Sequence, residues 1–175
     1  MGMEKIEPEQ VPADATPEKV ARAYVTMWNT KDYSAIPHLV SETFTMYDPA
    51  IPAKGVVGPQ GEAHGRDGLR QFMELITTAF PDFEITVLDM VAGDDIVMYE
   101  IRITMTHEGT FSGIPPTGRR VGIQGVSILR LENGLINEHR FYVNMGDVLD
   151  QLGLTFPAVI RQFPKLLLGK LRSYL

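Results

Sequence analysis

The hydrophobic pattern of this chain changes its period once, near Phe83, and that change constrains the fold more than any other feature. Before it, apolar residues recur at spacings of three and four, which predicts amphipathic helices. After it, the spacing becomes two, and this period predicts strands near residues 83–91, 95–107, 119–131 and 134–144. The Asn133-Gly134 turn favours an antiparallel hairpin between the last two.

Three helices are predicted before the strands. Residues 16–18, Thr-Pro-Glu, have the pattern of a helix start, with a capping residue, a first-turn proline and an acid. Asp32 is suited to cap a short second helix. The third helix follows Asp67, because apolar residues recur at helical spacing from there until Pro81.

A strand in the segment FTMYDPA (residues 44–50), which stops at Pro49, and a Gly- and Pro-rich loop over 50–65 separate the second helix from the third. Helices followed by consecutive antiparallel strands predict an α+β fold. We expect a strongly curved, mostly antiparallel sheet whose concave face encloses a pocket together with the three N-terminal helices.

The composition and charge of the chain argue against several classes of function. The chain has no cysteine, which excludes disulfides, thiolate nucleophiles and cysteine-ligated metals. Its net charge of −6 argues against general nucleic-acid binding. The first residues lack the apolar stretch of a signal peptide, and no uncharged apolar run is long enough to span a membrane, so we expect a cytoplasmic protein. We predict a flexible segment over 1–14, one domain over 15–153 and a helical extension over 154–175.

The C-terminal extension is predicted to be a basic amphipathic helix interrupted by Pro164. It carries Arg161, Lys165, Lys170 and Arg172 and no acid. Contact with an anionic membrane surface is one interpretation. The favoured alternative is that the extension covers the mouth or edge of its own domain, or of a partner's, because the rest of the chain is acidic.

One segment carries the most specific motif, THEGTFSGIPPTGRRV at residues 106–121. It resembles the corresponding stretch of the SnoaL-like polyketide cyclases, or ester cyclases, of the nuclear-transport-factor-2 (NTF2-like) superfamily. Four further segments resemble the same family in the same order, namely GRDGLRQF at 65–72, AFPDFE at 79–84, ILRLENGLINEHR at 128–140 and DQLG at 150–153.

The resemblance implies a cone-shaped fold with an apolar interior, and a homodimer formed across the outer sheet face. It also implies acid/base-catalysed ring closure of a polyketide ester without metal or organic cofactor. The aspartate that acts as acid/base in such cyclases falls on Phe141, a further family acid falls on Asn144, and a histidine of some cyclases falls on Ser127. Phenylalanine cannot move a proton, so these departures set the chain apart from the familiar cyclases.

Three residues remain candidates for catalysis. His139 shares a strand face with Phe141, and an ordinary histidine pKa near 6.5 suits a general acid or base. Asp48 ends the first strand and would be a substitute base if it faces the pocket, although Asp-Pro is also a common turn. His107 belongs to the family-like motif, and it either contacts ligand or holds the hairpin together.

The remaining pocket residues are expected on the inner faces of the helices and strands. This set comprises Tyr24, Trp28, Tyr47, Phe72, Met73, Ile76, Ser127, Phe141 and Asn144. Metal-ligating residues do not converge in the sequence, so we predict no metal and no cofactor.

Two functions of different classes follow from these residues. The first is a cofactor-free enzyme that performs cyclisation, isomerisation or hydration on a small apolar carbonyl compound, with His139 and Asp48 as acid and base. The alternative is a non-catalytic protein of the same fold that binds a small hydrophobic molecule. A buried carboxylate or histidine with a perturbed pKa in the pocket would favour the enzyme, whereas a pocket walled only by apolar groups would favour binding.

Overall fold

The computed structural model describes residues 15–155, and the predictions for residues 1–14 and 156–175 lie outside the described residues. Helix α1 spans Pro17–Thr30, a 3-10 turn over Tyr33–Ala35 leads into α2 at Ile36–Leu39, and α3 spans Gly65–Ala79. Asp32 caps the 3-10 turn by accepting from the backbone N–H of Ser34. Thr16 precedes α1 but makes no side-chain capping bond.

Six strands form one sheet. They are β1 (Val40–Tyr47), β2 (Glu62–His64), β3 (Glu84–Ala92), β4 (Ile96–Thr106), β5 (Arg120–Glu132) and β6 (Leu135–Val143). A fourth helix, α4, follows at Met145–Gln151. The four long strands after Phe83 begin and end within one or two residues of the predicted bounds, whereas β2 and α4 were not predicted.

The strand order in the sheet is β2-β1-β6-β5-β4-β3. All neighbours are antiparallel except β1 and β6, which run parallel and pair Met46 with His139. This topology confirms the predicted α+β class with a mostly antiparallel sheet. It also places the end of β1 beside the middle of β6, so residues from both strands meet on one face.

The helices pack on one face of the sheet, and the hydrophobic core lies between them. The inner side of α1 buries Val20, Tyr24 and Met27, and that of α3 buries Leu69 and Met73. The side-chain amide of Asn29 binds both the N–H and the carbonyl of Ile85 at 2.8 Å, as a neighbouring strand would. This pairing fixes α1 to the edge strand β3.

Candidate functional site

A cavity of about 790 Å³ lies between the concave face of the sheet and helices α1 and α3. Its wall is mostly apolar, and aromatic side chains contribute from both layers, including Trp28, Phe72, Phe80, Phe111 and Phe141. The volume falls within the range of small-molecule sites in proteins. Ligand-sized space is therefore built into the core.

One part of this wall is polar, and we call it the polar cluster: Tyr24, Asp48, Tyr99, Ser127 and His139. All five residues line the cavity and are less than a tenth exposed. They come from α1, the end of β1, β4, β5 and β6, so the cluster exists only when the complete sheet has formed.

His139 lies at the centre of the polar cluster and is bonded through both ring nitrogens. The Tyr24 hydroxyl lies 3.2 Å from Nδ1, and the Ser127 hydroxyl lies 3.0 Å from Nε2. Burial lowers the pKa of His139 to about 3. The imidazole is thus neutral at physiological pH and a weak base, so the structure favours a hydrogen-bonding role over the acid/base role expected from an ordinary pKa.

Asp48 both forms a turn and lines the cavity, the two alternatives that the sequence left open. Its Oδ1 accepts a hydrogen bond from the backbone N–H of Ala50 at 2.7 Å, which is the expected Asp-Pro turn. Its side chain also lines the cavity, and within the described residues Oδ2 accepts no hydrogen bond. Burial raises the pKa of Asp48 to about 6, partly opposed by the Ala50 hydrogen bond. The result is a carboxylate suited to accept a proton near neutral pH.

Tyr99 belongs to the polar cluster although the sequence analysis did not single it out. It is the direct cross-strand partner of Ser127, on the same face of the sheet. Burial raises the pKa values of both Tyr24 and Tyr99, so each phenol keeps its proton and acts as a hydrogen-bond donor or acceptor. Period-two alternation places Tyr99 inward, but nothing in the sequence distinguishes it from a core tyrosine.

Trp28, Phe72, Ile76, Ser127 and Phe141 line the cavity as expected from the sequence. The aromatic ring of Phe141 makes this part of the cavity wall apolar. A Cβ atom at Gly125 would lie 2.5 Å from Cε2 of Phe141, so the ring depends on the glycine beside it.

Three residues expected in the pocket lie elsewhere. Tyr47 points to the opposite side of β1 from Asp48, and the Arg140 guanidinium lies 4.2 Å from its ring centroid. Met73 is fully buried in the core and does not line the cavity. Asn144 is exposed and caps α4 by accepting from the N–H groups of Gly146 and Asp147. Tyr47 faces away from the cavity because side chains alternate in direction along β1. Asn144 faces away from it because it caps the unpredicted helix α4.

His107, the third catalytic candidate, is buried but does not line the cavity. Its ring stacks on Phe80 with centroids 5.1 Å apart, and Nδ1 lies 3.2 Å from the Thr117 hydroxyl. Its backbone groups bond to Arg119 and Gly118, which closes the base of the loop over residues 107–119 between β4 and β5, called the family-like loop. The contacts are those of a residue that holds this loop together, the alternative named above, and they do not support catalysis.

Helix α4 and the tip of the family-like loop both line the cavity. Phe111 and Ile114 pair through two backbone hydrogen bonds and both contact the cavity. The side chain of Gln151 in α4 binds both backbone groups of Gly122 at 2.8 and 2.9 Å. The DQLG segment therefore attaches α4 to β5 beside the cavity.

Residues 15–155 contain neither a group of side chains arranged to hold a metal ion nor a membrane-spanning helix. No group of three or more His, Cys, Asp or Glu side chains in this range is arranged to hold a metal ion. No helix within the same residues is long and apolar enough to cross a membrane.

Comparison with known proteins gives a consistent family. The family model for SnoaL-like polyketide cyclases matches residues 18–152. The chain is similar to AclR, a candidate hydroxylase from Streptomyces galilaeus, at 31% identity over 79% of this chain and 96% of AclR, with a TM-score of 0.64. It is also similar to IdmH, a candidate polyketide cyclase from Streptomyces antibioticus, at 27% identity over 78% and 98% of the two chains, with a TM-score of 0.67.

A third solved structure supports the fold alone. A candidate SnoaL-like polyketide cyclase from Jannaschia sp. CCS1 is 21% identical over 87% of this chain and 96% of its own, with a TM-score of 0.64. No curated protein matches the chain.

Proposed function

The chain belongs to the SnoaL-like polyketide cyclase family, and we propose that it is a cofactor-free enzyme that removes a proton from the carbon beside a carbonyl group of an apolar substrate. Asp48 is the proposed base. The observation that carries the proposal is the position of this carboxylate, buried in an apolar cavity with Oδ2 free of hydrogen bonds within the described residues. In this proposal Asp48 supplies the acid/base group that the familiar cyclases carry at the position of Phe141.

The reaction begins when Oδ2 of Asp48 takes the proton from the α carbon. The C–H electron pair forms a C=C bond, and the carbonyl π electrons move to oxygen to give an enolate. Tyr24 supplies a hydrogen bond to this oxygen, because its phenol lines the same cavity and its pKa is raised too far for ionisation. An aspartate base paired with a phenol donor is an established way to move a proton beside a ketone.

The enolate leads to the two reactions expected of the family. In an isomerisation, protonated Asp48 returns its proton to another carbon of the substrate. In a ring closure, the enolate carbon attacks a second carbonyl of the same molecule, and the new alkoxide takes the proton from Asp48. Both begin with the same proton abstraction, so the proposal is tested at that step.

The first test measures exchange of the α protons of small cyclic ketones such as 2-tetralone for deuterium in D₂O. We expect wild-type protein to accelerate exchange with a rate that rises with pH through about 6, because only ionised Asp48 is a base. Asp48→Asn should lose exchange by roughly 10²–10⁴-fold, and Tyr24→Phe by roughly 10²–10³-fold. Glu84→Gln, an exposed acid on β3, is the control. Equal rates for wild type and Asp48→Asn would refute the assignment.

Phe141 favours a second candidate function, non-catalytic binding of a small hydrophobic molecule. Its ring makes the position of the family aspartate apolar. The single tryptophan, Trp28, lines the cavity and reports ligand binding by its fluorescence. Ligands that quench Trp28 but exchange no protons in wild type would favour this candidate.

The similarity to AclR adds one measurement to the assay. AclR is a candidate hydroxylase at 31% identity, and oxygen insertion beside a carbonyl without a cofactor starts from the same carbanion. Recording dioxygen uptake together with proton exchange separates hydroxylation from isomerisation and ring closure.

We further propose that the protein acts in the cytoplasm as a homodimer formed across the outer face of the sheet. Val126 and Tyr142 are cross-strand partners on that face and are exposed, and Met98 is exposed on the adjacent strand. The flanking charges of Arg130 and Glu138 pair with each other within the chain, so the apolar residues are what this face offers to a second copy. Sedimentation of wild type beside Val126→Glu tests the dimer.

A further inference from the structure

The polar cluster contains a continuous hydrogen-bonded chain with cavity-lining residues along its whole length. Tyr24 bonds to Nδ1 of His139, and Nε2 of His139 bonds to Ser127. Tyr99 lies directly across from Ser127 on the neighbouring strand. Tyr24, at one end of this chain, and Tyr99, beside its other end, both line the cavity.

The hydrogens in this chain have two arrangements, because a neutral imidazole carries a single N–H. In the first, Tyr24 donates to Nδ1 and the Nε2–H donates to Ser127. The Tyr24 hydrogen is then used inside the protein and is not available to a ligand. In the second, Ser127 donates to Nε2 and the Nδ1–H donates to the Tyr24 oxygen, which leaves the Tyr24 hydrogen directed into the cavity.

Charge near the Tyr24 end favours the second arrangement. Asp48 lines the cavity close enough to Tyr24 for its negative charge to act on the phenol, and it is the acidic residue among the described cavity-lining residues. A negative charge attracts the positive end of the O–H dipole toward the cavity. An enolate oxygen, formed as Asp48 becomes neutral, would attract the same hydrogen.

We propose that Ser127 and His139 are positioning residues that direct the Tyr24 hydroxyl into the cavity, with Ser127 donating to Nε2 and His139 carrying its hydrogen on Nδ1. The role of Tyr24 toward a substrate oxygen rests on the proposed function, whereas the tautomer of His139 does not. By the resemblance, Ser127 occupies the position where some cyclases of the family carry a histidine. The proposal assigns the serine at this position the role of donating to Nε2 of His139.

The tautomer is measured by ¹⁵N NMR of the full chain labelled at histidine, since protonated and unprotonated ring nitrogens differ in chemical shift. The chain has four histidines, and His139 is assigned by elimination with His38→Gln, His64→Gln and His107→Gln. We expect a protonated Nδ1 and an unprotonated Nε2 in wild type at about pH 8, where Asp48 is ionised. A hydrogen on Nε2 would overturn the proposal.

A pair of variants separates positioning from packing. Ser127→Thr keeps the hydroxyl and should keep the single tautomer, whereas Ser127→Ala should give a mixture. The enolate is mimicked by 4-nitrophenolate at about pH 8. Its binding is measured in the Asp48→Asn background, because asparagine is uncharged like the protonated Asp48 that would face the enolate. Adding Ser127→Ala should weaken its affinity, read from Trp28 fluorescence, by roughly tenfold, and adding Ser127→Thr should leave it within about twofold.

The outcomes distinguish this proposal from the proposed function. Absence of proton exchange with the expected His139 tautomer refutes the enzyme and leaves the positioning proposal standing. Active enzyme with the hydrogen on Nε2, or Ser127→Ala protein with unchanged tautomer and phenolate affinity, refutes the positioning proposal alone.

Discussion

Replacing Asp48 with asparagine should make the protein more stable at neutral pH while removing the proposed proton abstraction. Asparagine has nearly the same shape and keeps an oxygen that can accept the Ala50 N–H. What it removes is the negative charge inside an apolar cavity. The substitution therefore isolates the cost of holding an ionised base in this place.

The magnitude follows from the pKa of Asp48, which burial raises to about 6 from an ordinary value of about 3.9. The folded state holds the proton more tightly than the unfolded chain, so wild-type stability falls as pH rises through this interval. Two pKa units correspond to about 3 kcal/mol, and most of this loss falls between about pH 4 and pH 7. The asparagine variant lacks this loss.

The assay is urea unfolding of both proteins at about pH 4.5 and pH 7.5, assuming two-state transitions. The stability difference between variant and wild type should grow by about 2 kcal/mol in favour of the variant from the lower to the higher pH. Other groups, including His139 with its opposite pH slope, cancel because they are present in both proteins. A stability difference that stays constant with pH, or that shifts in favour of wild type as pH rises, would refute the argument that the Asp48 carboxylate is buried away from water.

Two further predictions concern packing around the cavity. Gly125→Ala should destabilise the fold by about 1–3 kcal/mol in urea unfolding, because the new Cβ would lie 2.5 Å from Phe141, whereas Gly122→Ala on the same strand has open space and should cost less than about 1 kcal/mol. Gln151→Ala should destabilise by about 1–2 kcal/mol through loss of two hydrogen bonds to Gly122 and should speed hydrogen exchange of α4, whereas equal exchange in wild type and variant would show that the side chain does not fix the helix.

The fold was predictable because each long element has a clear period. The alternation after Phe83 predicted the four long strands, and the apolar spacing after Asp67 predicted α3. The two missed elements are short. β2 has three residues inside a Gly- and Pro-rich segment, and α4 buries only Val148, so neither gives a periodic signal.

The candidate site was predictable only in part, because a strand pattern does not state which face is inward. Tyr47 and Asp48 are adjacent and were both placed in the pocket, yet alternation allows only one of them to face it. His139 and Phe141 share a face as expected, and both are inward. The bond between His139 and Tyr24 joins residues 115 positions apart, and no local pattern encodes such a contact.

The parallel pairing of β1 with β6 has a consequence for the chain as it is made. A ribosome adds about 5–20 residues per second, so roughly ten seconds separate synthesis of Tyr24 from synthesis of His139. During that interval the apolar sides of α1 and α3 have no complete sheet to cover them. We therefore expect these apolar faces to stay accessible on the nascent chain until β6 emerges and inserts between β1 and β5.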